Sequence, residues 1–426
     1  MKTKDTNLKG SLRLSGAKLY QSLLALFLGS VVFLQTSVIW AQASAPNAAK
    51  PPYNIVFIIV DQRTDRLLAG SDYSLPALDA IASHGIRFQN HYIASAMCSP
   101  SRATLLTGRP PQFHHVIDQM QYSFVPTLDP QIPNVGSVLK GLGYKTAYFG
   151  KFEMDKGILA PKPTANYSTA AQPYGFDVFS AGGDIGSDPR SGFANDPFIA
   201  GESVRWLRVT ASEARRTGQP FFLVASFVNP HDIMFGDGNI PGQPPVQKAV
   251  VQQVIPLPPS NSIYEKKWSF TLPASLQESL TAPGMPGALL EYQTGWDAVL
   301  GTIPTDRKDM WTIFYNYYLN TIRDSDRSMQ QIVDVLNEMD LWRDTVVLLH
   351  GGSRRDGGRA RRPEGQGSDE LRAECPCAVD YRAPCSQSRR YLRRAHQPSG
   401  PASDLCRADG SARQQVAGCG ESAARP

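Results

Sequence analysis

The stretch Asn54-Ile-Val-Phe-Ile-Ile-Val60, entered through Pro52 and left at Asp61, is after its first residue an unbroken run of apolar, mostly β-branched residues. A strand with one wet face would alternate apolar and polar residues. An unbroken run belongs to a strand covered on both faces, as in a parallel sheet between layers of helices. Working outward, helical spacing appears at Pro76–Ser83 and at Asn134–Leu142, the latter closed by Gly143. Lys145–Gly150 then reads as a strand, Ile199–Arg216 as a helix, Pro220–Phe227 as a strand, Trp311–Met339 as a long helix and Thr345–Leu349 as a strand. This alternation predicts an α/β fold with a mainly parallel sheet flanked by helices. Ligands of such sheets bind beyond the carboxyl ends of the strands. Those ends carry Asp61-Gln62, Gly150-Lys151 and Asn229-Pro230-His231-Asp232. No internal repeat is visible, and Gln243–Pro286, rich in Pro and Ser, reads as a long loop.

With 426 residues, 42% apolar and 19% charged, the chain can bury a real core, which excludes disorder, collagen and a multi-span membrane protein. A net charge of +5 would ordinarily suggest nucleic acid, anionic lipid or an acidic substrate. Its placement argues otherwise. Residues 350–426 hold 14 Arg, no Lys and 9 acidic residues, whereas residues 44–349 hold 24 basic and 28 acidic, a net of −4. An anionic ligand must therefore be held by a few placed cations, and nucleic acid is not an expected partner. Cysteine is as uneven: Cys98 lies in the body, and Cys375, Cys377, Cys385, Cys406 and Cys419 in the tail, so no internal disulfide framework supports the fold.

Lys2, Lys4, Lys9, Arg13 and Lys18 precede an apolar run from Leu23 to Trp40, followed by Ala41-Gln42-Ala43. This reads as a signal peptide over residues 1–43, placing the body in the periplasm or outside the cell. The alternative is an uncleaved anchor, the only way this chain would meet a membrane. Residues 44–52 form a linker.

Cys98-Ser-Pro-Ser-Arg-Ala-Thr-Leu-Leu-Thr-Gly-Arg109 is the most informative segment. It resembles the sulfatase signature, Cys-x-Pro-Ser-Arg with Thr-Gly-Arg four residues on, at every fixed position. Taken alone, Cys98 would be a small buried hydrophobe. The resemblance implies instead that a separate maturation enzyme oxidises Cys98 to formylglycine, whose hydrated aldehyde is the nucleophile. A serine would leave a stable sulfate ester, whereas a geminal diol can expel sulfate through its second hydroxyl. The same resemblance implies that Arg102 steadies that group. It further implies that Asp61 and Gln62, with residue 98, hold a divalent cation, usually calcium, although Gln62 alone would be an ordinary loop amide. Lys151 would contact sulfate, as would His231, which taken alone would be a structural histidine. In Gly150-Lys151-Phe152-Glu153, Glu153 stands where the family commonly has His. A carboxylate there repels sulfate, so either it points elsewhere or the chemistry differs. His114 and His115 read as a solvated loop pair.

The resemblance runs from about Tyr53 to Leu349, as a sulfatase-like domain cut short at its carboxyl end. Sulfatases then present Asp-His-Gly or Asp-Asn-Gly, completing the metal site, and later a second lysine, where this chain has His350-Gly-Gly-Ser-Arg-Arg-Asp-Gly. Dropping the first base of the His350 codon permits Thr-Ala-Asp-His-Gly-Glu-Met-Gly. Gly358-Arg-Ala-Arg-Arg-Pro-Glu-Gly-Gln-Gly367 likewise permits Gly-Ala-His-Gly-x-Leu-Arg-Gly-Lys-Gly. Residues 350–426 are therefore expected to be out of frame and disordered, with the sheet left open after Thr345–Leu349. The tail cysteines lack paired Cys-x-x-Cys spacing, and the arginines are not interleaved with aromatics, so neither a zinc module nor a nucleic-acid arm is expected. The expected function is hydrolysis of sulfate monoesters on a small molecule or glycan, impaired here by the lost metal ligands. Two alternatives stay open: a non-catalytic remnant, and phosphonate or phosphate ester hydrolysis on the same site.

Overall fold

The structure, a computed structural model, describes residues 52–64, 69–88, 91, 93–159, 167–180, 189–249, 258–351 and 380–381. The leader, the signal-peptide reading and most of the tail lie outside the described residues. Among the described residues no helix is long and apolar enough to cross a membrane.

Among the described residues seven strands form one sheet: β1 Asn54–Val60, β2 Ile86–Arg87, β3 Lys145–Gly150, β4 Val178–Ser180, β5 Phe221–Phe227, β6 Thr345–Gly351 and β7 Asp380–Tyr381. Their order is β2-β7-β6-β1-β5-β3-β4. The contiguous run β6-β1-β5-β3-β4 is parallel, with Ile55 opposite Phe222 on one side of β1 and Val346 on the other. Alternate residues of β1 feed different cores. Val56, Ile58 and Val60 face α1 (Pro76–Ser83), a 27-residue helix at Ser191–Thr217 and a 31-residue helix at Lys308–Glu338. Phe57 and Ile59 face α2 (Cys98–Thr107) and α3 (Val135–Gly141). Burial on both faces is why β1 reads as an unbroken apolar run. The two long helices are α4 and α6, with α5 at Gly287–Leu300 between them.

The expected strands and helices are present, with shifted ends. Asn134 caps α3, its side chain accepting from the Gly136 and Ser137 N–H groups while the Ser137 hydroxyl accepts from the Asn134 N–H. Helix α4 begins at Ser191 rather than Ile199, despite Pro197 inside it. The Asp232 carboxylate, beyond β5, accepts from the Gly192 and Phe193 N–H groups at 2.9 Å each and caps this start from a distant element. The stretch read as a loop at Gln243–Pro286 holds short helical turns at Ser262–Glu265 and Ala274–Gln277.

The carboxyl edge also differs from expectation. His350 and Gly351 continue β6 beside Ile59 and Val60, and Asp380–Tyr381 pairs antiparallel with Leu348 and Leu349. The sheet therefore does not stop at Leu349.

Candidate active site

Strands β3, β5 and β1 are neighbours, so their carboxyl ends deliver Lys151, the Val228–His231 turn and Asp61 to one place. Helix α2 starts over this spot. Cys98 is its first residue and is fully buried. Its Sγ lies 3.6 Å from Asp61 Oδ2 and 3.6 Å from Lys151 Nζ. Part of the signature serves the helix rather than chemistry. Gly108, left-handed at φ 65°, ends α2 by donating its N–H to Thr104 O at 2.8 Å. The Ser99 hydroxyl donates to Gln119 and accepts from the Met120 N–H, tying the helix start to the segment behind it.

Arg102 lies one turn along α2 and is 1% exposed. Its Nη1 donates to Lys151 O and Ser226 Oγ at 2.7 Å each, and to Tyr148 OH at 3.4 Å. Its Nη2 is 3.5 Å from Asp61 Oδ2. Lys151 Nζ donates to that same oxygen at 2.6 Å. Burial works to raise the Asp61 pKa, but Lys151 and Arg102 outweigh it and hold this carboxyl well below the usual range. Burial pushes the Cys98 thiol up to about 12, with the Asp61 charge adding to it. The thiol is neutral at physiological pH.

His231 is 5% exposed at the start of a short helical turn after β5. Asp196, on α4, accepts from the Val228 and Asn229 N–H groups at 2.7 and 3.0 Å, and Asp232 grips the start of α4 in return. These two buried carboxylates clamp the turn that carries His231. Burial drives the Asp196 pKa well above normal and that of Asp232 up to about 6. Among the described His, Cys, Asp and Glu residues, Asp61, Cys98 and His231 bring one ligand atom each within 4.8 Å of one another. Gln62 is fully buried beside them on a left-handed backbone, φ 57°, its carbonyl accepting from Tyr318 OH at 2.8 Å.

The site residues expected from sequence therefore converge, and several others join them. Glu153 points inward, its Oε1 3.1 Å from Lys151 Nζ and its Oε2 3.9 Å from Arg102 Nε. Ser226, a polar residue inside an apolar strand, was a visible signal for a site partner; Tyr148 and Asp196 offered none. The solvated reading of His114 is corrected: it is 2% exposed, bonded to Thr104 Oγ1 at 3.1 Å and accepting the Val116 N–H, because the turn after α2 folds it under the helix. His115 is exposed. His91 and His350 meet through their Nε2 atoms at 3.1 Å, and burial lowers both pKa values, that of His350 to about 3.

A calcium ion takes six to eight oxygen ligands. Here the Asp61 carboxylate is already bonded to Lys151 and faces Arg102, the Cys98 thiol is a soft donor, and His231 offers nitrogen. The described residues do not assemble an oxygen shell for a hard cation.

A model of the sulfatase family matches residues 53–368, running past Leu349. The chain is 28% identical over 199 residues to the Delta 4,5-hexuronate-2-O-sulfatase of Bacteroides thetaiotaomicron, a match covering 45% of this chain and 36% of that protein. It is 29% identical over 220 residues to human arylsulfatase A, covering 44% of this chain and 43% of that one. These stretches span less than half of either relative. Among solved structures, the phosphonate monoester hydrolase of Silicibacter pomeroyi aligns at a TM-score of 0.51 and 18% identity, over 78% of this chain and 68% of that one, a likeness of fold alone. With signature, site geometry and a family model spanning most of its length in agreement, this chain belongs to the sulfatase family.

Proposed function

We propose that the Cys98 site hydrolyses sulfate monoesters once a maturation enzyme has converted Cys98 to formylglycine. Sulfatases generally use that group and a divalent metal. The observation that carries the reading is the position of Cys98 Sγ: at the first residue of α2, 3.6 Å from the Lys151 ammonium, with Arg102 bonded behind it. The amino end of a ten-residue helix and two cations favour an anion at that point. Lys151 would donate to a sulfate oxygen, Arg102 would fix the Lys151 backbone and balance charge, and His231 would sit beside the ester oxygen to hold or deliver a proton. Formylglycine supplies a hydroxyl nucleophile that a buried neutral thiol cannot. Asp61 and Gln62 are the residues we assign to calcium, in a chain that also carries the closing ligands. The substrate class is a sulfate ester of a small molecule or a glycan, and the basic, apolar leader favours export to the periplasm or beyond.

The competing reading is a non-catalytic remnant, favoured by the Lys151 bond to Asp61 and by Gly352-Ser353 in place of metal ligands. Two measurements separate them. Mass analysis of the peptide spanning Cys98, after expression with a formylglycine-generating enzyme, should show conversion; persistent thiol sinks the sulfatase mechanism. Aryl sulfate turnover should be absent or weak in this chain and restored when one base is removed after codon 349. Equal activity of the two chains would refute the frame argument, and inactivity of both would favour a remnant.

A further inference from the structure

Glu153 has no task in the hydrolysis just described, yet the fold aims it at the anion's partners. The side chain is 3% exposed and sits on a left-handed backbone, φ 49°. Its Oε1 is 3.1 Å from Lys151 Nζ. Its Oε2 is buried, makes no hydrogen bond among the described residues and faces Arg102 Nε at 3.9 Å. As carboxylates, Asp61 and Glu153 cancel the formal charges of Lys151 and Arg102. A neutral residue at 153 would leave the same cluster one positive charge to spare.

We propose that Glu153 sets the charge selectivity of this site, admitting singly charged esters such as sulfate monoesters and disfavouring doubly charged phosphate monoesters. An ester oxygen bonded to Lys151 Nζ lies roughly 5–6 Å from the Glu153 carboxylate, by hydrogen-bond lengths on either side of the ammonium. The attraction to Lys151 and Arg102 grows with ester charge, and so does the repulsion from Glu153. At the effective dielectric of buried sites, each added unit of ester charge meets a penalty from Glu153 of about a hundredfold in affinity. Glu153 is thus a specificity residue, and it reaches the ester through space without contacting the reacting atoms.

The proposal rests on the Cys98 site binding ester anions, and the test separates the two. Phenyl sulfate and phenyl phosphate are titrated calorimetrically into the full chain, with Cys98 unconverted so that neither ester turns over. The pH is held about two units above the second phosphate pKa of about 6, so that phenyl phosphate carries two charges. The wild type should prefer phenyl sulfate, and Glu153→Gln and Glu153→His should each shrink that preference by about tenfold or more, chiefly by tightening phenyl phosphate. A preference unmoved in folded variants overturns the proposal. So does equal binding of both esters by the wild type, a result that needs no variant to fold. Binding of neither ester overturns the site reading itself, and the charge selectivity with it.

Discussion

Replacing Arg102 with methionine keeps the aliphatic stem inside α2 and removes the guanidinium alone. Lost with it are the bonds to Lys151 O and Ser226 Oγ, at 2.7 Å each, and the longer one to Tyr148 OH. Tyr148 OH still donates to Lys151 O at 2.7 Å, so that carbonyl keeps one partner. Asp61 loses the Arg102 cation, Nη2 at 3.5 Å, while staying fully buried. Hydrogen bonds from charged groups contribute about 1.5–3 kcal/mol each, and stripping one partner from a buried ion pair costs about 3–5 kcal/mol. These effects overlap, and the expected net loss is about 4 kcal/mol. In urea unfolding followed by tryptophan fluorescence, with a slope of about 3 kcal/mol/M for a domain of this size, the midpoint should fall by more than about 1 M. In an Asp61→Asn background, where no anion is left uncompensated, the same substitution should cost about 2 kcal/mol less. A loss under about 1 kcal/mol, or an equal loss in both backgrounds, would refute the buried charge network as the role of Arg102. Arg102→Lys should recover less than half of the loss, since one ammonium cannot reach acceptors set around a planar fork.

Gly150→Ala should be at least as damaging. Gly150 has φ 102°, and an added Cβ would lie 2.0 Å from the Ser226 carbonyl oxygen, pushing β3 from β5 just before Lys151. A melting temperature within a few degrees of wild type would contradict that packing. Asp232 predicts a pH effect of definite sign. Its folded pKa, about 6, lies above the ordinary 3.8, so the folded state holds this proton more tightly. Its contribution to stability is fully present below about pH 4 and is lost as pH rises towards 6, amounting to about 2–3 kcal/mol. The wild-type stability profile should lose that amount relative to Asp232→Asn across this window; parallel profiles would refute it. Unconverted Cys98, with its thiol pushed up to about 12, should react with iodoacetamide at pH 8 at least about a hundredfold more slowly than glutathione, until urea unfolds the chain. Comparable rates would contradict the buried, anion-flanked environment.

Much of the architecture is legible in local sequence. Residues 55–60 are apolar at successive positions because β1 lies between β5 and β6 with a core on each face, and such burial leaves its mark on each of them. Helix α1 and strands β3 and β5 are equally plain, each bounded by its own breakers. The start of α4 is not, since Gly192 and Pro197 argue against a helix locally and the cap arrives from Asp232, forty residues on. Helix α5 escapes because Pro286, Gly287 and Gly295 obscure its period. The helical form of Cys98–Thr107 is hidden as well, its polar, proline-bearing face being buried against the site rather than solvated.

What the sequence by itself determined is the chemistry on offer: a cysteine in a twelve-residue signature, an acid at the end of β1, a lysine after β3 and a histidine after β5. Their order along the chain, joined to an α/β alternation, is enough to predict that they meet, because parallel strands send all their carboxyl ends to one edge. Only the tertiary structure decided how the charges pair once there. Lys151 takes the Asp61 oxygen, Arg102 bridges three backbone and side-chain acceptors, and Glu153 turns inward although its place in the sequence allowed either direction. Side-chain direction at a strand end, and the balance of four buried charges, depend on distances of a few ångströms between segments dozens of residues apart, which no local pattern encodes.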